Sequence, residues 1–286
     1  MSPLIAADKI EAARKRIANV VRHTPLMRNA RLSALYDAEI LLKREDLQEV
    51  RSYKIRGAYN RMSQLSDEQR AAGVVCASAG NHAQGFAYAC HAMEIHGRVF
   101  MPAVTPKQKV EKVKLFGQEH VEIILTGDTF DDAAAEAHRA AEEGLTYIPP
   151  FDDPAIIEGQ GTVGAEILED HPEPIDMVLV AVGGGGLISG LGSIFKQLSP
   201  ETKIIGIEPT GAPAMHDSLR EGKVVTLDKI DNFVDGAAVR RVGDLNFKIA
   251  QHVIDEMILV PEGKVCSVML QLYNDEGLVV EPAGAL

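Results

Sequence analysis

The sequence predicts an α/β protein with two open, twisted, mostly parallel sheets flanked by helices. From Gly73 onward, short β-branched runs alternate with amphipathic stretches of roughly ten to fifteen residues, the pattern of parallel strands joined by crossover helices. Glycine-rich turns close two separate strands, one near Ser78 and one near Gly183, and the strands outnumber what one short sheet carries. Two α/β units are therefore expected. Ligands of doubly wound folds lie beyond the carboxyl ends of the strands, so a cleft between the units would bring both glycine turns onto one ligand.

In chain order the predicted strands are "GVVCAS", "RVFMPA", "VEIILT", "LTYIPP", "MVLVAV" and "KIIGIEP". Between the first two, "QGFAYACHAME" (84–94) carries apolar residues on more than one face, as a helix packed on a sheet does. "TFDDAAAEAHRAAEEG" reads as a solvated helix with Ala-rich packing and no chemistry. With 286 residues and 46% apolar content the chain can build a sizeable core. The formal charge is -12 and no Lys/Arg stripe is present, which argues against nucleic acid as a partner. No secretory signal and no apolar run of membrane-spanning length is found, so a soluble, cytoplasmic protein is expected. Three widely spaced cysteines argue against a disulfide framework, and none of the nine histidines lies in an HExxH or Cys/His pattern, so no metal is assigned.

Three stretches carry chemistry. "MVLVAVGGGGLISG" runs from a buried-type strand through Gly183, Gly184, Gly185 and Gly186 into a helix near Leu187. Unshielded N–H groups at a helix start form an anion nest, suited to a phosphate. A flexible turn is the plainer reading, and a dinucleotide fold is a rival, since Glu208 follows about 20 residues on. The spacing is GxGxxxG, however, and four contiguous glycines suit a compact monophosphate better than a pyrophosphate. "ASAGNHAQG" offers Ser78, Ala79, Gly80, Asn81 and His82 at a second helix start, either as caps or as donors to a carboxylate ligand. In "EVRSYKIRGAYN", Lys54 is either an ordinary surface charge or a nucleophile for a carbonyl.

With "SYKIRGAYN", "SAGNHAQG" and "GGGGLISG" in this order, the whole chain resembles the pyridoxal-phosphate enzymes of the tryptophan synthase β-like fold (fold type II), in their serine and threonine dehydratase branch. "KREDLQEVRSYKIRGAYN", "TPKQK", "GQGT", "FVDGAAVRRVGD" and "EPAGAL" are most similar to biosynthetic threonine dehydratases, which feed isoleucine synthesis. The resemblance implies pyridoxal 5'-phosphate as cofactor. It makes Lys54 the Schiff-base residue and proton acceptor, with Tyr53 against the ring and Asn81 on the ring hydroxyl. Gly183 to Leu187 would hold the phosphate, Gly236 and Glu281 would lie near the ring, and the Ser78 to His82 loop would take the substrate carboxylate. The implied reaction is dehydration and deamination of L-threonine, and of L-serine, to a 2-oxo acid and ammonia.

The family's large domain would comprise 1–45 and 148–286, with 46–147 as the small domain, in a homo-oligomer (dimer or tetramer). Serine racemases and β-replacement enzymes are the alternatives within the fold, and a dehydrogenase or a non-catalytic binding module the alternatives outside it. Relatives that racemise serine carry a serine where Ala79 stands, and their divalent-cation site needs an acid where Ala214 stands, so an eliminating enzyme without metal is expected. The family's terminal S-G-G-N strand and the regulatory domain of biosynthetic members do not follow "EPAGAL", so the sequence reads as C-terminally incomplete.

Overall fold

A computed structural model describes residues 3–286. The helix α1 (Ala7–Ile17) leads into an antiparallel pair, β1 (Leu26–Arg28) and β2 (Leu41–Lys43), around α2 (Ala30–Tyr36). Next come α3 (Lys54–Ser63), α4 (Asp67–Ala72), β3 (Val74–Ala77), α5 (Asn81–Met93), β4 (Gly97–Met101), α6 (Lys107–Gly117), β5 (Val121–Leu125), α7 (Phe130–Glu142) and β6 (Thr146–Tyr147). The second half carries α8 (Pro154–Asp170), β7 (Met177–Ala181), α9 (Gly186–Leu198), β8 (Lys203–Pro209), α10 (Ala214–Glu221), α11 (Asp244–Val253), β9 (Glu256–Val260) and α12 (Glu262–Glu276).

Two parallel sheets result, one ordered β5-β4-β3-β6 and one ordered β7-β8-β9. All six predicted strands are present. β1, β2 and β9 are additional, the first two being only three residues long. In the four-stranded sheet the chain runs outward from β3 through β4 to β5 and then returns to place β6 on the other side of β3. The loops that leave β3 and β6 thus diverge, which makes the gap above their carboxyl ends a topological switch point. Ser78 to His82 follow β3, and Pro149 to Asp153 follow β6.

Helix α8 joins the two halves. It starts at Asp153, whose carboxylate accepts the N–H groups of Ala155 and Ile156, with Pro154 in the first turn. Residues 159–167 are all buried, because α8 lies between α3 on one side and α9 on the other. Glycine makes this possible: a Cβ on Gly159 would strike the Arg56 carbonyl of α3, and one on Gly190 of α9 would strike Ile157 and Gly161. One core packs around Phe195, Ile188 and Ile204 beside the three-stranded sheet, and another around Phe86, Val99 and Met101 beside the four-stranded one. No helix among the described residues is long and apolar enough to cross a membrane.

Candidate active site

Helix α5 begins where β3 ends. Its Asn81 side-chain amide donates to Glu281 Oε1 at 2.7 Å, although the two residues are 200 positions apart. The Ser78 hydroxyl accepts the Gly80 N–H at 3.2 Å, so it serves as a local cap. The backbone N–H groups of Ala79, Asn81 and His82 find no acceptor among the described residues, and the space above Gly80 Cα is open. His82 is buried with its Nε2 at 3.0 Å from the Ile148 carbonyl, which engages its side chain and leaves its backbone N–H free. Burial, followed by the nearby Lys54 charge, pushes its imidazole down to about 3 and keeps it neutral.

Lys54 is the first residue of α3. A Cβ on Gly85 would lie 3.0 Å from the Ile55 nitrogen, so the glycine in α5 is what lets the α3 start come so close to the Asn81 helix. Lys54 Nζ donates to the Pro150 carbonyl at 3.1 Å and lies 5.5 Å from the Tyr53 ring centroid. Among the described residues no carboxylate pairs with it directly. Burial pushes the amine down to about 8, and the more distant Glu281 opposes this only in part. The Tyr53 phenol is pushed up, by burial first and by Glu281 second. The Glu281 carboxyl is itself raised by burial, against the Asn81 hydrogen bond that lowers it.

The glycine loop closes the other wall. Gly185 sits at φ 97°, in the region that favours glycine, and caps α9. None of the N–H groups of Gly183, Gly184, Gly185, Gly186 or Leu187 has an acceptor among the described residues. They are the unshielded donors of an anion nest at a helix N-terminus. Residues outside the sequence motifs shape this loop. The Phe151 ring packs where a Gly184 Cβ would be, and the Gly184 carbonyl accepts the Gly243 N–H at 3.1 Å. Asp152 accepts the N–H groups of Asp244, Leu245 and Asn246, and so pins the start of α11 beside the loop. Ala237 abuts Gly183, and a Cβ on its neighbour Gly236 would come within 3.1 Å of Glu281 Oε1.

Lys54, Tyr53, Asn81, Gly236, Glu281 and the Gly183 to Leu187 loop are thereby linked through Pro150, Phe151 and Ala237. Pro150, Phe151 and Asp152 escape a motif reading, although "PPFDDP" has the Asp-Pro signature of a helix start. Glu208 plays a different part: it is buried, and its two oxygens accept the Met215 and His216 N–H groups at 2.8 Å each, capping α10. Burial pushes its carboxyl up to about 8 against those two bonds.

An amine of depressed basicity, a polar side chain bridged to a carboxylate and a free anion nest together match the aldehyde, ring hydroxyl and phosphate of pyridoxal 5'-phosphate. The chain belongs to the family of pyridoxal-phosphate dependent enzymes, whose match spans residues 17–286. It is 55% identical over 284 residues to the biosynthetic L-threonine dehydratase IlvA of Bacillus subtilis, covering 99% of this chain and 67% of that protein. The corresponding protein of Halalkalibacterium halodurans is 54% identical over 283 residues, with 99% and 68% covered. Among solved structures, the processed form of threonine deaminase isoform 2 from Solanum lycopersicum superposes with a TM-score of 0.92 at 41% identity, covering all of this chain and 79% of that one. Maize serine racemase gives 0.93 at 35% identity, covering all of this chain and 85% of that one.

Proposed function

We propose that this chain is a threonine ammonia-lyase that converts L-threonine, and L-serine, to 2-oxobutanoate or pyruvate and ammonia. The observation that carries the reading is the linkage of Lys54, the Asn81–Glu281 pair and the unpartnered N–H groups of Gly183 to Leu187 through their shared neighbours, Pro150–Phe151 on one side and Gly236–Ala237 on the other. Bound pyridoxal 5'-phosphate would supply the electron sink for a carbanion at the substrate Cα. The nest of Gly183 to Leu187 would hold the phosphate, Asn81 the ring hydroxyl and Tyr53 the ring. Lys54 Nζ would be the group that binds the cofactor aldehyde and, as a free amine, the acceptor of the substrate Cα proton.

With a pKa of about 8, roughly one Lys54 amine in ten is neutral at pH 7, against fewer than about one in a thousand for an ordinary lysine. The free N–H groups of Ala79, Asn81 and His82 suit the substrate carboxylate. Ala79 offers no ionisable group for a second proton transfer, which supports elimination over racemisation.

Residues 46–147, with the four-stranded sheet, would form the small domain, and the rest of the chain the large one, in a cytoplasmic homo-oligomer. The test is 2-oxobutanoate formation from threonine by the protein loaded with cofactor, together with borohydride fixation of the cofactor and peptide mapping. The cofactor is expected on Lys54. Fixation elsewhere would end the site assignment, and D-serine as the main product from L-serine would end the elimination reading.

A further inference from the structure

The fold assembles a second polar cluster far along α5 from Asn81. His91 lies in the last turn of α5, and a 3₁₀ turn at Gln118–His120 between α6 and β5 faces it. The two imidazole Nδ1 atoms are 3.4 Å apart, and Glu119 Oε1 lies 3.9 Å from His120 Nδ1. One ligand atom from each of His91, Glu119 and His120 falls within 4.8 Å of the others.

We infer that His91, His120 and Glu119 form a binding site for a divalent first-row transition ion of the zinc class, separate from the proposed cofactor cleft. Tetrahedral zinc with Zn–N bonds of about 2.0–2.1 Å sets two nitrogen ligands about 3.3–3.4 Å apart, which is the observed separation. That spacing is long for a hydrogen bond between two imidazoles but suits two lone pairs aimed at one ion. Glu119 is exposed, so a rotation of its side chain brings the carboxylate from 3.9 Å to ligand distance. Two imidazoles and a carboxylate favour zinc, copper or nickel over magnesium or calcium and leave a fourth position to solvent.

Two further features fit this site. The side-chain amide of Gln118 lies 3.2 Å from His91 Nε2. With the amide oxygen turned inward it accepts an Nε2–H and leaves Nδ1 as the metal ligand, the outer-shell arrangement that orients ligating histidines. Gln118 also adopts φ 47° and ψ -129°, a conformation a non-glycine residue holds only when the surroundings impose it, and this turn is what presents Glu119 and His120 to α5. Bound metal would tie the end of α5 to the α6–β5 connection and stabilise the four-stranded unit whose other end carries Asn81.

The test uses the tag-free, cofactor-loaded chain in equilibrium dialysis against zinc, with His91→Asn, His120→Asn, Gln118→Ala and Cys266→Ser variants. One zinc per chain is expected, with affinity lowered at least tenfold in each histidine variant, about tenfold in Gln118→Ala, and unchanged in Cys266→Ser. Zinc should raise the melting temperature of the parent chain and not of the histidine variants. Cobalt substitution needs no variant: visible d–d bands stronger than those of the aqua ion are expected. Binding that survives in the histidine variants, that follows Cys266 instead, or that is absent at 100-fold molar excess of zinc would overturn the site, as would an aqua-like cobalt spectrum.

Discussion

Lys54 and Arg56 stand two residues apart on the same helix, both withdrawn from bulk water, and they show opposite uses of a cation. The Arg56 guanidinium is fully buried but surrounded: it donates to Glu45 at 2.7 and 2.8 Å, to Glu166 at 2.6 and 2.8 Å, and to Thr162 at 3.1 Å. Lys43 adds a second cation to Glu166 at 2.7 Å. Burial alone would lower Arg56, but Glu45 and Glu166 outweigh it and hold the guanidinium above its ordinary value. Lys54 has one carbonyl and, among the described residues, no paired carboxylate, and burial dominates. Partnered, a buried charge organises three segments of chain; unpartnered, it becomes a reactive amine. Arg56, its charge already matched by Glu45 and Glu166, is not what lowers Lys54; burial is.

Lys54→Ala should produce the largest effect in this comparison. Activity should fall by about 10²–10⁴-fold or more, since the proton acceptor is lost, and borohydride should no longer fix cofactor to the chain. Circular dichroism should show the fold intact. A variant that kept half its activity would remove Lys54 from the chemistry.

Arg56→Met should reverse that pattern and destabilise the fold while leaving no group missing from the cleft. It would remove the guanidinium from Glu45 and leave Glu166 with Lys43 alone, at a cost of about 3–5 kcal/mol, read as a shifted urea midpoint. Burial pushes Glu166 up, yet Arg56 and Lys43 together hold it below its ordinary value. Its contribution is therefore present above the unfolded carboxylate pKa and is lost as pH falls through the lower folded value. The parent chain should lose stability on that acid limb, and the variant should show a weaker dependence there.

Gly184→Ala should act on the opposite wall. The new methyl meets the Phe151 ring, which must shift, with an expected loss of about 1–3 kcal/mol and weaker cofactor binding. Parallel equilibrium unfolding and cofactor titration would measure both. Unchanged cofactor affinity would mean that Phe151 does not set the shape of the nest.

The strands and the three motifs were legible in the sequence because each rests on local pattern: β-branched runs, helix starts and contiguous glycines. What supports them was not. The three-residue β1 and β2 are too short to carry a period, and β9 follows a helix without a glycine turn to mark it. Pro150 reaches Lys54 only because β6 lies beside β3, a consequence of strand order that no local window contains. Asn81 and Glu281 meet across 200 residues, and His91 meets His120 through a strained turn at Gln118. Even Lys54 and Arg56 read alike until their partners, Glu45 and Glu166 for one and a carbonyl for the other, are placed in space.

The smallest effect is the sharpest test of the contrast, because it asks for a gain. In the cofactor-free chain, Lys54→Met removes an ammonium that the fold holds at about 8 while the unfolded chain holds it near 10.4. The unfolded state then binds more protons between these values, so the lysine penalises folding fully below about pH 8 and progressively less as pH rises toward about 10.4. Lys54→Met should therefore melt a few degrees higher than the parent at pH 7, and the gain should shrink by pH 10. Arg56→Met, which removes a cation satisfied at every pH in this range, should melt lower at both. If Lys54→Met were instead destabilised at pH 7 and recovered at pH 10, the amine would be stabilised in its charged form by a partner, and the distinction between the two cations would fail.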